Sequence, residues 1–399
     1  MPTPSLNVVF EQAAKTAIAR SGNGRCAVII WVNGLKIIGN PDYLHYTDVS
    51  QINNNVFKNE ENQMLEKMFK YGVKEIIAIP YYRSLSDIGV IELPSVTSSD
   101  DSVSTASNQE SDSVDKNMPD INSLPDFDYI YTTFSIGERL DGPNVIYNDR
   151  LDNTETLINI RETINKFMND SSLIKNARII HTKEQELEFK NDEYSIVFDA
   201  YDMKYNGTHI SPFEYLPDLV SIIATTPLDR SATYTELPGI TSATYVELEN
   251  KNNLSIVCKN GVYRLSKAVT AYTGDSKDLK SIKIVNAMKI LQNDIISTYE
   301  DRYIGKAGNL INKMQFVSAV NTYLTRLVEE GVLYDGFDNT AEIDIDAVKA
   351  YLADVAGKDI SDMSELDIMN AKTGTNLFLK LNVQFADALE DMTLRVVMN

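Results

Sequence analysis

Histidine and cysteine are scarce in this chain of 399 residues, which contains three histidines and two cysteines. His45, His181 and His209 do not stand in HExxH or HxH spacing, so the sequence offers no recognisable metal-ligand motif. The glycine-rich loops of phosphate sites and the GxSxG turn of serine hydrolases are also absent. These absences argue against most metal-dependent and nucleophilic enzymes, and no cofactor is expected. His181 ends an apolar strand and is predicted to be structural.

Basic side chains are the second deficit, with 37 Lys and Arg against 57 Asp and Glu and a net charge of −20. A nucleic-acid-binding protein would show a basic patch, so this balance argues against that class and favours a soluble protein repelled by anionic surfaces. No apolar run approaches the ~20 residues of a membrane span, and no apolar leader opens the sequence. Synthesis in the cytoplasm without membrane insertion is therefore predicted.

The two cysteines, Cys26 and Cys258, both lie in apolar runs. Buried, unpaired thiols in a reducing compartment are the favoured interpretation. A single long-range disulfide is the alternative.

The most informative pattern that is present occupies the last 24 residues, which alternate apolar and polar side chains in two stretches separated by an acidic loop. A period of two is typical of half-buried strands. The apolar positions are Leu377, Leu379, Leu381, Val383 and Phe385 in the first stretch, Met392, Leu394, Val396 and Met398 in the second, and Leu6, Val8 and Phe10 in a shorter N-terminal stretch. A terminal strand with open backbone edges must pair either with its own sheet or with a neighbouring copy.

Residues 25–210 are predicted to form a layered α/β domain. Its pattern runs through a strand at Cys26–Val32 ending in an Asn33-Gly34 turn, a helix over 58–71, a strand at Lys74–Pro80, and a helix over 153–169, followed by two strands. The stretch 93–125 is rich in Ser and Asp and is predicted to be a solvated surface insertion.

Residues 211–375 read as an α+β domain. Lys259-Asn260-Gly261 predicts a hairpin turn, and long helices are predicted over 279–300 and 312–330. Lys277, Lys280 and Lys283 would share one side of the first helix start, which is a local positive strip on an acidic protein. Such a strip is either an ordinary amphipathic flank or a docking surface for an acidic partner.

Four segments in order resemble one known family. They read TPLDRSATYTEL from residue 226, YIGK from 303, EIDIDAVKAYL from 342, and TGTNLFLKLNVQFADALEDMTLRVVMN from 373. Together they resemble the contractile tail sheath proteins of phages and phage-tail-like bacteriocins, best over residues 211–399 and only in element order over 40–210.

The resemblance implies a structural subunit of a contractile sheath rather than an enzyme. Copies would form stacked hexameric rings around an inner tail tube, with baseplate and tail terminator proteins as further partners. Contraction would drive the tube through a target cell envelope. The particle would assemble in the host cytoplasm and act as a virion tail or a phage-tail-like particle. No contact with nucleic acid is implied.

The resemblance also implies an architecture. The α/β domain over 25–210 would face outward and be inserted into an inner α+β domain over 211–375. An N-terminal arm over 1–24 and a C-terminal strand pair over 376–399 would link subunits. Hinges would lie at 21–24 and 371–375.

The implied strand exchange assigns roles to the terminal residues. The donated strands would be Leu6, Val8 and Phe10 at one end and Met392, Leu394, Val396 and Met398 at the other. The accepting strand would be Leu377, Leu379, Leu381, Val383 and Phe385. The tube-facing candidates are Lys277, Lys280 and Lys283, with Arg302, Lys306 and Lys313 as the rival set. The competing hypothesis is a soluble α/β enzyme, perhaps a hydrolase, for which the sequence lacks an Asp/His/Ser set in context.

Overall fold

The computed structural model describes residue 18 and residues 24–35, 40–52, 56–83, 118–135, 154–185, 187–244, 252–355, 357 and 363–397. The chain divides into two compact units. The sheet unit comprises Asn23–Thr226 and Ala232–Ile282, and the helical unit comprises Met1–Gly22, Pro227–Ser231 and Lys283–Asn399.

The sheet unit is built on a six-stranded sheet with the order β2-β3-β1-β4-β5-β6. All neighbouring strands are parallel except β2, which pairs antiparallel with β3 at one edge. The strands are β1 (Arg25–Leu35), β2 (Leu44–Tyr46), β3 (Glu75–Arg83), β4 (Tyr129–Thr132), β5 (Arg178–Thr182) and β6 (Ser195–Phe198). The helices are α1 (Asn59–Tyr71), α2 (Thr154–Ile174) and α3 (Leu216–Thr225).

Apolar side chains cover both faces of this sheet, which explains its continuous apolar strands. Along β1, Cys26, Val28 and Ile30 point into a core that also contains side chains of α1 and α3. Ala27 and Ile29 point to the opposite face, where they join a core containing α2. The layered α/β arrangement predicted from the sequence is thus confirmed for this unit.

Of two predictions of local structure in the sheet unit, one is confirmed and one is wrong. The helix predicted over 58–71 is present and ends at Gly72, whose φ of 97° places it in the left-handed C-cap conformation. The turn predicted at Asn33-Gly34 is absent, because β1 continues to Leu35 and pairs with Arg83 across a register shift. The turn-forming pair instead occupies an irregularity in a continuing strand.

Two smaller antiparallel sheets complete the sheet unit. One has the order β8-β7-β9, and the other is a hairpin of β10 and β11. The strands are β7 (Tyr201–Tyr205), β8 (Thr208–Ile210), β9 (Ile240–Thr244), β10 (Ile256–Lys259) and β11 (Val262–Leu265). The predicted hairpin turn is confirmed, and both Asn260 and Gly261 have positive φ, as a two-residue hairpin turn requires.

The helical unit packs two long helices against a two-stranded antiparallel sheet. Its elements are α4 (Ile282–Arg302), α5 (Leu310–Glu329), β12 (Thr340–Ile343), α6 (Ile345–Ala350), α7 (Glu365–Asn370) and β13 (Leu379–Asn382). A core of Ile290, Phe316, Val320, Leu324 and Leu333 lies between them. Both long helices were predicted, to within three residues at their ends.

The division into units differs from the predicted boundary at residue 211. Residues 211–226 belong to the sheet unit because Leu219 and Ile223 of α3 pack into the same core as β1. The predicted insertion of one domain into the other stays a prediction. Residues 93–117 of the predicted surface insertion lie outside the described residues, whereas Ile121 and Leu124 near its end are buried.

Candidate assembly interface

The accepting strand predicted at Leu377–Phe385 is held along one edge by the helical unit. Its regular part, β13, pairs antiparallel with β12 from Leu379 opposite Ile343 to Asn382 opposite Thr340. The pairing continues beyond the regular strand: the Asp344 amide donates to the Phe378 carbonyl at 3.0 Å, and the Tyr334 amide to the Gln384 carbonyl at 2.8 Å. An isolated bridge joins Leu333 to Phe385. Within the residues described, no strand lies on the other edge of β13.

Burial follows the predicted alternation from Leu379 to Phe385, whereas Phe378 before it is half-buried like its two neighbours. Leu379, Leu381 and Val383 are half-buried and pack against the core of the helical unit. Lys380, Asn382 and Gln384 are exposed between them. The first C-terminal strand is therefore confirmed as a half-buried strand with one unpaired edge in the described structure.

The described residues 392–397 of the second predicted C-terminal strand do not form a strand. Residues 391–397 have no regular structure, and every side chain in them is exposed. The exposed fractions are 85% for Met392, 74% for Leu394 and 71% for Val396. A strand needs a neighbouring strand to pair with, and the described residues 392–397 belong to none of the described sheets. The result is an apolar tail (Met392–Val397) that the chain leaves in solvent.

The other predicted strand-exchange residues lie outside the described residues. These are Leu6, Val8 and Phe10 at the N-terminus and Met398 at the C-terminus. Ile18 is described, and it is buried in the core of the helical unit, where its carbonyl accepts a hydrogen bond from Arg326 at 3.3 Å.

The three predicted tube-facing lysines do not form one helical strip. Helix α4 begins only at Ile282, because Ser281 is extended and ends a 3-10 turn over Asp278–Lys280. Lys277 is exposed and Lys280 is half-buried at this turn. Lys283 is 5% exposed, and its ammonium donates to the carbonyl of Ala386 at 2.5 Å. Its charge is therefore directed into its own unit.

The rival set divides in the same way. Arg302 and Lys306 are exposed, whereas Lys313 is 7% exposed. The Lys313 ammonium donates to the carbonyl of Ala371 at 3.3 Å and to the Thr373 hydroxyl at 3.2 Å. Sequence reasoning missed these roles because a lysine near a helix start is usually solvated, and only long-range packing reveals its partner.

The described residues bring His181 close to Ser195. His181 Nε2 lies 3.2 Å from the Ser195 hydroxyl, and the imidazole packs edge-on against Phe189. Burial lowers the pKa of His181 to about 4, which keeps the ring neutral at pH 7. The histidine is 7% exposed and sits within the sheet, so the predicted structural role is confirmed.

The two cysteines are both unpaired, as predicted, but only Cys26 is buried. Cys258 is exposed because the outer residues of β10 face solvent at the hairpin end. Across the described ranges, no three His, Cys, Asp or Glu side chains are arranged to bind a metal. No helix in the same ranges is both long and apolar enough to cross a membrane.

Comparison with known sequences identifies relatives of this chain. Residues 275–399 match the family described as the phage tail sheath C-terminal domain. A tail sheath protein of Clostridium phage phiCD119 is 30% identical over 222 residues, which cover 52% of this chain and 61% of that protein. The match thus spans less than two thirds of the relative's length. The resemblance indicated by the sequence motifs is confirmed.

Solved structures share the fold over most of the chain. A sheath tail protein of Listeria innocua aligns with a TM-score of 0.52 and 12% identity, covering 86% of this chain and 93% of that one. A chain of the contracted PVC sheath complex, from an extracellular contractile injection system, aligns with a TM-score of 0.56 and 11% identity, covering 100% of this chain and 97% of that one. A chain of the anti-feeding prophage baseplate aligns with a TM-score of 0.57 and 10% identity, covering 96% of each chain. At these identities the likeness is one of fold.

Proposed function

Because residues 275–399 match the phage tail sheath C-terminal domain family, we propose that this chain is the structural subunit of a contractile tail sheath. The observation that carries the proposal is the C-terminal segment. A half-buried strand, with no strand on its second edge among the described residues, is followed by an apolar tail whose described side chains are all exposed.

Strand addition between copies accounts for both features. An extended peptide that joins an exposed sheet edge gains main-chain hydrogen bonds, and its alternating side chains gain apolar contact. The tail alternates in the required way, with Met392, Leu394 and Val396 on one side and Thr393 and Arg395 on the other. We therefore assign the tail as the donated strand and Leu377–Phe385 as the acceptor strand. The N-terminal stretch with Leu6, Val8 and Phe10 is proposed as a second donor.

The larger assembly follows from the same proposal. Copies joined in this way would build hexameric rings stacked around an inner tail tube, bounded by baseplate and tail terminator proteins. Contraction would move rigid subunits between two packings while the exchanged strands keep them linked. The particle would be a virion tail or a phage-tail-like particle assembled in the host cytoplasm, with no enzymatic step.

Deletion of residues 392–399 tests the strand-exchange proposal. The truncated chain should stay folded and soluble, because the side chains of the described residues 392–397 are exposed, yet it should form no tubes in negative-stain electron microscopy. The matched control replaces Thr393 by Ala within the full-length tail and should assemble normally. Tubes of normal length from the truncated chain would refute strand donation by this segment.

Lys277 and Lys280 remain proposed tube-facing residues. Both lie at a turn outside the cores, and a positive pair on an acidic protein suits an acidic partner surface. Charge reversal in Lys277→Glu with Lys280→Glu should weaken co-sedimentation with tube at low salt more than at high salt. The control is Lys70→Glu with Lys74→Glu, at exposed positions elsewhere in the sheet unit. Equal binding by both variants would remove this pair from consideration.

A further inference from the structure

Two buried lysines lie at the two ends of the acceptor strand. Lysine is rarely buried unless its ammonium group is bonded, because removing the charge from water is costly. Lys283 on α4 and Lys313 on α5 are 5% and 7% exposed. Each ammonium group donates a hydrogen bond to the C-terminal segment: Lys283 to a residue just after the acceptor strand, and Lys313 to a residue before it.

Lys283 holds the position where the acceptor strand ends. Its ammonium donates to the carbonyl of Ala386 at 2.5 Å, across 103 residues of sequence. The amide of the same residue donates to the Val332 carbonyl at 3.0 Å. Burial lowers the pKa of Lys283, while the nearby carboxylates of Asp229 and Asp387 act in the opposite direction. Both backbone groups of Ala386 are therefore fixed immediately before the acidic loop.

Lys313 holds the turn where the acceptor strand begins. Its ammonium donates to the Ala371 carbonyl at 3.3 Å and to the Thr373 hydroxyl at 3.2 Å. That hydroxyl in turn donates to the Asn376 carbonyl at 2.6 Å, one residue before the strand. Thr373 is 2% exposed, so this chain of bonds is shielded from water. The segment predicted as a hinge at 371–375 is thus anchored to α5.

We propose that Lys283 and Lys313 are positioning residues that fix both ends of the acceptor strand. With both ends held, the strand keeps one register against β12 and presents its free edge in a single geometry. The chain can then change direction only beyond Ala386. The role in assembly rests on the proposed function, because it assumes that this free edge receives a strand from another copy.

Hydrogen exchange of the purified full-length chain tests the proposal without requiring assembly. The variants are Lys283→Met and Lys313→Met, which keep the aliphatic stem and remove the ammonium donor. Lys283→Met should speed exchange at the amides of Gln384 and Ala386 about tenfold, the order expected for losing a hydrogen bond from a charged donor. Lys313→Met should do the same at Ala371 and Asn376. Each variant should leave the other end unchanged.

The control is Lys372→Met, which removes the same charge from an exposed position beside Thr373 and should change neither end. Exchange in the sheet unit provides an internal reference. The proposal is overturned if both lysine variants leave the two ends as protected as in the parent chain. It is equally overturned if either variant loosens all of the helical unit to the same degree, because that is the behaviour of a residue that only fills the core.

Tube yield by negative-stain microscopy then separates the two proposals. If the parent chain forms tubes, the double variant Lys283→Met with Lys313→Met should form at least tenfold fewer. Unchanged yield despite loosened strand ends would overturn the role of the lysines in assembly. If the parent chain forms no tubes at all, the proposed function fails, while the exchange data still decide whether the lysines fix the strand.

Discussion

Replacing Leu394 by Ala separates the stability of the subunit from the stability of the joint between subunits. Leu394 is 74% exposed in the chain, so its side chain contributes little to the folded monomer. Truncating an exposed side chain usually changes the free energy of unfolding by no more than about 0.5 kcal/mol. Thermal unfolding of the monomer should therefore be almost unchanged.

The same substitution should act strongly on the assembled sheath. If the side chain is buried in a neighbour's sheet, Leu→Ala costs about 2–5 kcal/mol for each joint. Since each 1.4 kcal/mol is a factor of about ten, the critical concentration for tube growth should rise roughly 30-fold or more. The large ratio between the two effects is specific to a residue that is buried only by a second copy.

The critical concentration is measured as the concentration of subunit left in the supernatant after assembled tubes at equilibrium have been sedimented. Thr393→Ala is the control, because Thr393 alternates to the opposite side of the tail from Leu394. A critical concentration that Leu394→Ala leaves unchanged would refute burial of this side chain in the joint. If Leu394→Ala lowered the monomer's free energy of unfolding by as much as it weakens the joint between subunits, the tail would pack within its own chain.

Three further predictions concern the sheet unit. Burial lowers the pKa of His181 to about 4 in the folded protein, against an ordinary 6.5, so the unfolded state binds the proton first as pH falls. The free energy of unfolding should therefore be greatest above pH 6.5 and about 3 kcal/mol lower at pH 4. Denaturant titrations that follow the fluorescence of the single tryptophan measure it. Gly239→Ala should lower the melting temperature more than Gly207→Ala, because an added Cβ would lie 2.2 Å from a tyrosine ring carbon at Gly239 and meets nothing within 4 Å at Gly207. A thiol reagent should label Cys258 in the native protein and Cys26 only after unfolding, because burial raises the pKa of the Cys26 thiol.

Each of these has its own control. His181→Phe should flatten the loss of stability between pH 6.5 and 4, whereas His209→Phe, at an exposed position, should leave it unchanged. Equal destabilisation by the two glycine variants would mean that positive φ alone, at about 1–2 kcal/mol, accounts for both. Two thiols labelled at the same rate in the native state would contradict the burial of Cys26.

Particular elements show where sequence reasoning succeeded and where it stopped. Helix α1 and its Gly72 cap follow from apolar spacing and from the freedom of glycine at positive φ, both of which are local. The Asn33-Gly34 pair has the same kind of local signal for a turn. Strand β1 nevertheless continues through it, because β3 extends far enough to pair with Leu35 beyond the turn residues. Strand pairing is a long-range interaction, so it can override a turn preference.

The sequence alone determined the alternation of the C-terminal segment, the covered α/β sheet and the scarcity of catalytic side chains, because these depend on residue order and composition. Only the tertiary structure decided that β13 pairs with a single strand among the described residues, that residues 392–397 are exposed, and that Lys283 and Lys313 are buried against residues just outside the two ends of Leu377–Phe385. The physical reason is distance along the chain. The Lys283 ammonium and the Ala386 carbonyl are separated by 103 residues, and no local pattern encodes a bond that forms only when two remote segments pack together.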